Sequence, residues 1–406
     1  MISVTEALGE CERRVSPLPP ETVLLEDALH RVLADRAVAN TDLPPFTQSA
    51  MDGYALRSVD TVSAETSRPV CLRIVGQIAA GPQGSVCELE PGDACRIFTG
   101  GGLPPGADAV VRQESVSAVG PELRIDAPVP SGSNVRRRGE ELTRGQVMVG
   151  TGTRLLPGMI GALAAVGVGR VTVYRQPRIL ILVTGSEVVS AGEPLAPGTI
   201  YDANGPLART FLSGSGYEFV TVSRVPDSEE ALANALGDAF NDADLIVSTG
   251  GVSVGDRDLV ISIAEGLGVK RIFWKIAQQP GKPLYLGLYQ GRIPVLGLPG
   301  NPAAALIGIV VYLRRILDRL EGVAAPGPIF SPGRLAAAVQ SDKERTQWLR
   351  ARRRFHEDGS VWLEPLPKQG SHMISNLCAA DALVYLPPAT SDSAIREGTT
   401  VSWMPI

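Results

Sequence analysis

From Arg178 onward the chain alternates apolar runs of strand length with amphipathic stretches of helical period, and this alternation limits the possible folds more than any other feature. RILILVTG is an apolar run ending at a glycine. NGPLARTFLSGSG reads as a helix with a glycine stop, and EFVTVSRV as the next strand. SEEALANALGDAF predicts a helix with an N-cap serine and an acidic first turn, before the strand DLIVSTGG. DLVISIAEGLG (helix), KRIFWKIA, PLYLGLY and RIPVLGLPG (strands) and PAAALIGIVVYLRRIL (helix) complete the series. Strands that are apolar nearly throughout, alternating with helices, imply a mostly parallel sheet covered on both faces. The expectation for 178–326 is an α/β domain of the open, doubly wound kind.

The flanking text reads differently. Residues 3–15 predict a short amphipathic helix with Val4, Ala7, Leu8, Cys11 and Val15 on one side. Between about 40 and 150, short runs such as VCLRIV, ACRIF, DAVVRQ and LRIDAPV are separated by Gly, Pro and Ser, which suggests a small β-rich domain. A helix over Met159–Val166 then leads into the strand RVTVY. After the linker GVAAPGPIFSPG, QWLRARRRF, the turn HEDGS and VWLEPL predict a hairpin, followed by a short helix over SHMISNLCAADAL. At 406 residues the chain is too long for a single core, so the fold class is multi-domain, α/β plus β-rich.

Several function classes are disfavoured. A net charge of -5 argues against a general nucleic-acid binder. Cys11, Cys71, Cys87, Cys95 and Cys378 are odd in number and form no CxxC pair. With only three histidines beside them, they suggest neither a disulfide framework nor a zinc site, and point to a reducing cytoplasm. The most apolar stretch, Leu155–Val173, is broken by Pro157, glycines and Arg170, so no membrane span is expected; the N-terminal text lacks a secretory pattern.

In open α/β sheets ligands sit beyond the carboxyl ends of the strands. The residues found there are Thr184, Gly185, Ser186 and Glu187; then Thr249, Gly250, Gly251, Ser253, Gly255, Asp256 and Asp258; then Lys275 and Lys282; then Pro299, Gly300, Asn301 (an expected N-cap) and Pro302. Glycines let backbone N–H groups approach an anion, and a helix N-terminus adds partial positive charge. Ser253 and Thr249 can donate to phosphate, Asp256 and Asp258 can hold magnesium, and Lys275 and Lys282 can neutralise phosphate charge. A lone TGG or PGNP is usually only a turn or helix start, but four such loops at successive strand ends predict a site for a phosphorylated or nucleotide-bearing small molecule. Three of the five lysines (270, 275, 282) fall in one short window there. In the N-terminal half, Asp52 occupies an Asp-Gly pair that also reads as a plain hairpin turn, and Thr99 lies in a glycine-rich loop. Arg136, Arg137 and Arg138 beside Glu140 and Glu141, and Arg350 with Arg352 to Arg354, read as solvated faces or as oxyanion receptors.

Taken in order, PPFTQSAMDGYA, AAGP with RIFTGGGLPPGADAVV, RRRGEE, TGSEV, YDANG, STGGVSVGDRD, WKIAQQPGKPLYLG and LPGNPAAA resemble the MoeA family, the molybdopterin molybdenumtransferases also found as the gephyrin E domain. The resemblance covers essentially the whole chain. It implies molybdenum insertion into adenylyl-molybdopterin from molybdate, with Mg²⁺, releasing AMP. It also implies a cytoplasmic homodimer whose site lies between the α/β domain of one subunit and the β-rich domain of the other, with transfer partners among molybdopterin-adenylylating proteins and apo-molybdoenzymes. Its domains would be an elongated N-terminal one built from 1–45 and 145–177, a β-rich one over 46–144, the α/β molybdopterin-binding one, and a C-terminal β-rich one over 327–406. Asp52, Thr99, Glu187, Asp227, Asp258, Lys275 and Ser371 match family positions associated with activity. Arg137 (or Arg138) and Arg350 match basic positions, and Pro299 and Pro302 shape the PGNP loop. The metal set implied is Glu187, Asp227, Asp256 and Asp258. Glu141, Ser186 and Gln279 depart from the frequent Asp, Asp and Lys. A molybdopterin adenylyltransferase on the same α/β domain and a non-catalytic scaffold or carrier are the alternatives.

Overall fold

The computed structural model describes residues 1–82, 87–251, 259–389 and 394–406. Its central sheet has six strands in the spatial order Val220–Val225, Ile179–Thr184, Leu245–Thr249, Ile293–Leu298, Tyr285–Tyr289, Val269–Trp274. The first four run parallel and the last two pairings are antiparallel, because the PLYLGLY and RIPVLGLPG strands are joined directly by a tight turn with no helix between them. Alternate side chains of each strand enter opposite cores. Ile179, Ile181 and Val183 pack with helices Asn204–Gly214 and Pro302–Leu320. Leu182, Ile246 and Val295 pack with helices Glu229–Asp242 and Leu259–Gly266 on the other face. Period two along apolar strands therefore builds the two-sided covering that the sequence predicts.

The N-terminal helix Val4–Arg14 begins with a capping box, Ser3 accepting from the Glu6 N–H while Glu6 accepts from Ser3. It lays Val4, Ala7 and Cys11 on the core beneath the sheet. Strand Pro20–Leu24 pairs with Arg170–Tyr174, and Ala37–Val38 with Val147–Val149, so these two distant segments share one small core. Between them lies a six-stranded mixed sheet that includes Gly53–Leu56 and Asp93–Ile97. At the C-terminal end, strands Thr346–Phe355, Val361–Pro365, Ser331–Leu335, Thr400–Pro405 and Ala382–Leu386 close on themselves, since Thr346–Phe355 also pairs with Ala382–Leu386. The predicted hairpin is present. The predicted helix over SHMISNLCAADAL is not: Ser375–Cys378 makes one 3₁₀ turn and Ala382 already begins a strand. Strand pairing of Ala382–Leu386 with Gln347–Ala351 claims the end of the segment, and Asn376 Nδ2 ties the short turn to the carbonyls of Pro367 and Lys368.

The helix after the PGNP loop widens into a π turn over Gly308–Leu313 before continuing as Arg314–Leu320. A Cβ on Gly308 would lie 2.4 Å from Leu298 Cδ2, so glycine alone permits this close approach to the strand. The far end of the helix holds the N-terminal segments. Arg154 Nη2 donates to Asp318 Oδ1 at 3.1 Å and to Glu321 Oε2 at 2.8 Å, and the Tyr217 hydroxyl donates to the same glutamate oxygen at 2.5 Å. Burial, with Glu321 alongside, holds the Tyr217 hydroxyl well above its usual range, so it remains a donor. Arg154→Met should destabilise the chain by about 3–5 kcal/mol, because it leaves Glu321 buried without its cation. Urea unfolding of this variant beside Arg154→Met/Glu321→Leu checks it: the double variant should recover most of the loss.

Candidate active site

The carboxyl ends of three adjacent parallel strands and the loops after them enclose a cavity of about 840 Å³. Thr184 and Gly185 leave the first strand, Thr249, Gly250 and Gly251 the second, and Pro299, Gly300, Asn301 and Pro302 the third. Gly250 and Gly251 both have positive φ, 93° and 66°, and a Cβ would come within 2.9 Å of Thr184 Oγ1 and 2.5 Å of Val260 Cγ2 respectively. The TGG turn thus needs glycine twice, once for each close approach.

Glu187 and Asp227 lie on this wall although forty positions separate them in sequence. Ser186 links their loops: its N–H donates to Asp227 Oδ2 at 3.3 Å, and the Asp227 N–H donates to Ser186 Oγ at 3.2 Å. Ser186 therefore accepts from the Asp227 N–H through its hydroxyl and adds no second charge beside that carboxylate. Asp202, Asn204 and His372 also line the cavity, and sequence reasoning singles out none of them. Asp202 accepts from the Gly205 N–H at 2.8 Å and pairs with Arg224 at 3.2 Å, while Asn204 Nδ2 donates to the Gly300 carbonyl at 2.8 Å. The available signal for these two is the YDANG segment, which runs into the helix Asn204–Gly214 at the cavity wall. Nothing in the spacing announces His372, because it arrives from the C-terminal barrel.

Asn301 occupies the N-cap position but makes no capping bond; its Nδ2 donates instead to Ser371 Oγ at 3.0 Å. The Ala303 N–H donates to the Ser371 carbonyl at 3.2 Å, so the 368–373 loop is fastened to the start of this helix. Arg350 fastens it from beneath. Its guanidinium is buried and donates to the carbonyls of Met373 (2.9 Å), Lys368 (3.0 Å) and Gly370 (3.2 Å) and to Gln369 Oε1 (3.3 Å). These bonds occupy four of the five N–H groups of the fork, and burial lowers the guanidinium pKa.

The remaining expected residues lie elsewhere. Lys275 comes after the strand Val269–Trp274 at φ 68°, with Nζ 4.0 Å from the Trp274 ring centroid, and does not line the cavity. Lys282 is exposed and precedes Pro283, which does line it. Ser253, Gly255, Asp256 and Asp258 fall outside the described residues. Asp52, Thr99 and Arg137 belong to the N-terminal half and are not on the cavity wall. Asp52 is not the apex of a hairpin, as the Asp-Gly pair suggests. It precedes the strand Gly53–Leu56, and its Oδ1 accepts from the Thr99 N–H at 2.8 Å and Oγ1 at 2.7 Å. Those two bonds hold the Asp52 carboxyl below the usual carboxylate range. Since the folded value is the depressed one, the contact contributes above the ordinary carboxylate pKa and is lost as pH falls through the folded value. In an NMR titration, Thr99→Val, which keeps the backbone N–H and removes only the hydroxyl, should move the Asp52 pKa part of the way up toward the ordinary value; an unmoved curve would assign the shift to the backbone N–H alone.

The family model of the MoeA N-terminal region (domains I and II) matches residues 2–167, that of a probable molybdopterin binding domain residues 180–319, and that of the MoeA C-terminal region (domain IV) residues 332–406. The chain is 32% identical over 374 residues to the molybdopterin molybdenumtransferase of Bacillus subtilis, covering 91% of this chain and 86% of that protein. Against the molybdopterin molybdenumtransferase of Haemophilus influenzae it is 32% identical over 409 residues, covering 99% and 98%. A crystal structure of the molybdopterin biosynthesis MoeA protein from Pyrococcus horikosii matches with a TM-score of 0.85 and 32% identity, covering 100% of this chain and 99% of that one. With its whole length accounted for in this way, the chain belongs to the MoeA family.

Proposed function

We propose that this protein is a molybdopterin molybdenumtransferase, inserting molybdenum from molybdate into adenylyl-molybdopterin and releasing AMP. The observation that carries the reading is the cavity at the strand ends, where three carboxylates, a double-glycine turn and the PGNP helix start meet. The Gly250 and Ala303 N–H groups are taken by the carbonyls of Leu298 and Ser371, so the backbone at Gly251 and at the Gly300–Asn301 turn is what suits phosphate oxygens, and the cavity is large enough for a nucleotide-bearing ligand.

The donor set also suits Mg²⁺. Among the described residues no three carboxylate, histidine or cysteine groups converge on one point. Magnesium asks for less than that, being commonly held by one or two carboxylates together with substrate phosphate and water. Glu187 and Asp227 supply hard oxygens on the wall, and Asp256 and Asp258 are the further ligands we assign. Bound there, the ion would offset the charge of the pyrophosphate. Lys275 and Lys282, on the stretch that brings Pro283 to the cavity, are assigned as additional countercharge for the bound substrate. Molybdate, the second substrate, is assigned to Ser371 with Arg350 behind it and to Arg137. Arg138 is paired with Asp42 and Arg137 is in no ion pair among the described residues, which favours Arg137 of the two.

Asp52, Thr99 and Arg137 lie away from the wall of their own chain's cavity, which supports a homodimer in which the partner's N-terminal half completes the site. We place the enzyme in the cytoplasm, handing its product on to molybdoenzymes. No helix among the described residues is long and apolar enough to cross a membrane. The test is AMP release from adenylyl-molybdopterin over a molybdate series with Mg²⁺, the product then being offered to a cofactor-free molybdoenzyme. Molybdate-dependent AMP with activation supports the reading. Tight binding without AMP would replace it with a carrier, and AMP–pterin formation from ATP with an adenylyltransferase.

A further inference from the structure

The cavity wall presents an electrostatic mismatch to an anionic ligand. Glu187, Asp202 and Asp227 all line it, and only Asp202 is in an ion pair among the described residues. No lysine or arginine is among the described lining residues. Among the described lining side chains, His372 brings a ring N–H donor from outside the α/β domain. It is exposed, and neither ring nitrogen is engaged by another described residue.

We propose that His372 is a substrate-binding residue that donates a hydrogen bond to the pyrophosphate of adenylyl-molybdopterin and so helps to set the specificity of the cavity for the adenylylated pterin. This rests on the molybdenumtransferase reading of the cavity. Placement supports it. His372 comes from the C-terminal barrel, whereas every other described lining residue comes from the α/β domain, and its loop is fastened to the start of the PGNP helix at the rim of the cavity. Its backbone is held on all sides. Arg350 binds the carbonyls of residues 368, 370 and 373, Asn376 binds those of 367 and 368, and Ser371 is bonded to Asn301 and Ala303. The ring leans over Gly370, where a Cβ would lie 3.3 Å from His372 Cε1. A donor fixed in this way loses little freedom when a phosphate arrives, which is the condition for a specific contact.

The test is equilibrium binding of adenylyl-molybdopterin to the full chain and to His372→Ala, His372→Gln and His372→Lys, with molybdate-dependent AMP release measured in parallel. A hydrogen bond to a charged group predicts about tenfold weaker binding for His372→Ala. KM should rise by a similar factor while kcat changes less. His372→Lys should restore most of the binding, because it returns an N–H donor; a role confined to loop packing would leave it as weak as alanine. Gly370→Ala, which displaces the ring without removing it, should fall between. The proposal is overturned if His372→Ala binds as the wild type does, or if lysine and alanine behave alike. AMP release by the wild type reports on the enzymatic reading separately. Binding that depends on His372 without AMP release would keep the contact and discard the transferase activity, and no binding by the wild type would remove both.

Discussion

Glu187→Gln is expected to lower molybdate-dependent AMP release by about 10²–10³-fold while adenylyl-molybdopterin still binds. The substitution is nearly isosteric, so it leaves the turn after the strand Ile179–Thr184 intact and removes only the charge. That charge lies close over the TGSEV backbone: a Cβ on Gly185 would be 3.0 and 3.1 Å from the two Glu187 oxygens. It faces the cavity with no cationic partner among the described residues. A carboxylate left unpaired on the wall of an anion site destabilises the apo protein slightly and is explained if it holds a cation. Titration with Mn²⁺ monitored by paramagnetic resonance should show weakened binding in the same variant. AMP release within threefold of wild type, with unchanged Mn²⁺ affinity, would remove Glu187 from both the catalytic and the metal assignments.

Arg350→Met is expected to destabilise the C-terminal barrel by about 3–5 kcal/mol, before any substrate is considered. Arg350 is 1% exposed, and its removal leaves the carbonyls of Gly370 and Met373 without their donors, while Lys368 keeps the one from Asn376. Each such loss is worth about 1–3 kcal/mol when the group stays buried. Arg350→Lys should recover only part, because an ammonium cannot reproduce the planar fork. Trp348, buried two residues away, reports the transition by fluorescence in a urea titration. An unchanged midpoint would show that the loop is held without Arg350. A lowered midpoint together with a raised KM would fit an arginine that acts on substrate by positioning Ser371 and His372.

The parts of the fold legible in the sequence are those dictated by local periodicity. The strand Ile179–Thr184 and the helix Glu229–Asp242 arise from apolar runs, a capping Ser228 and glycine punctuation, and the structure has them where the pattern puts them. The reversal at the far side of the sheet is less legible. Strands Tyr285–Tyr289 and Ile293–Leu298 are as apolar as their parallel neighbours, and only the absence of a helix between them signals an antiparallel pair. The C-terminal misreading has the same root. Leu377 and Ala380 repeat at helical spacing, but strand pairing of Ala382–Leu386 with Gln347–Ala351 overrides that preference. The site divides along similar lines. Glu187, Gly250, Gly251 and the PGNP loop can be found from the residues at the carboxyl end of each strand. The contact of Asp52 with Thr99, and the arrival of His372 beside the strand ends, are made by tertiary approach between segments that share no local pattern.

The π turn in the helix that begins at the PGNP loop gives this enzyme one residue of slack in an otherwise rigid rod. One end of that rod sits at the cavity through Asn301 and Pro302, and the other carries Asp318 and Glu321 against Arg154. Each residue of a regular helix advances the face by about 100°, so a deletion in Pro302–Ile307 or Arg314–Leu320 would turn the two ends out of phase. Within Gly308–Leu313 the wide turn spans one residue more than an α turn between the same hydrogen-bonded ends. Losing a single residue there would tighten the turn and keep both ends in phase, making this buried segment the place in the helix where chain length is free to vary.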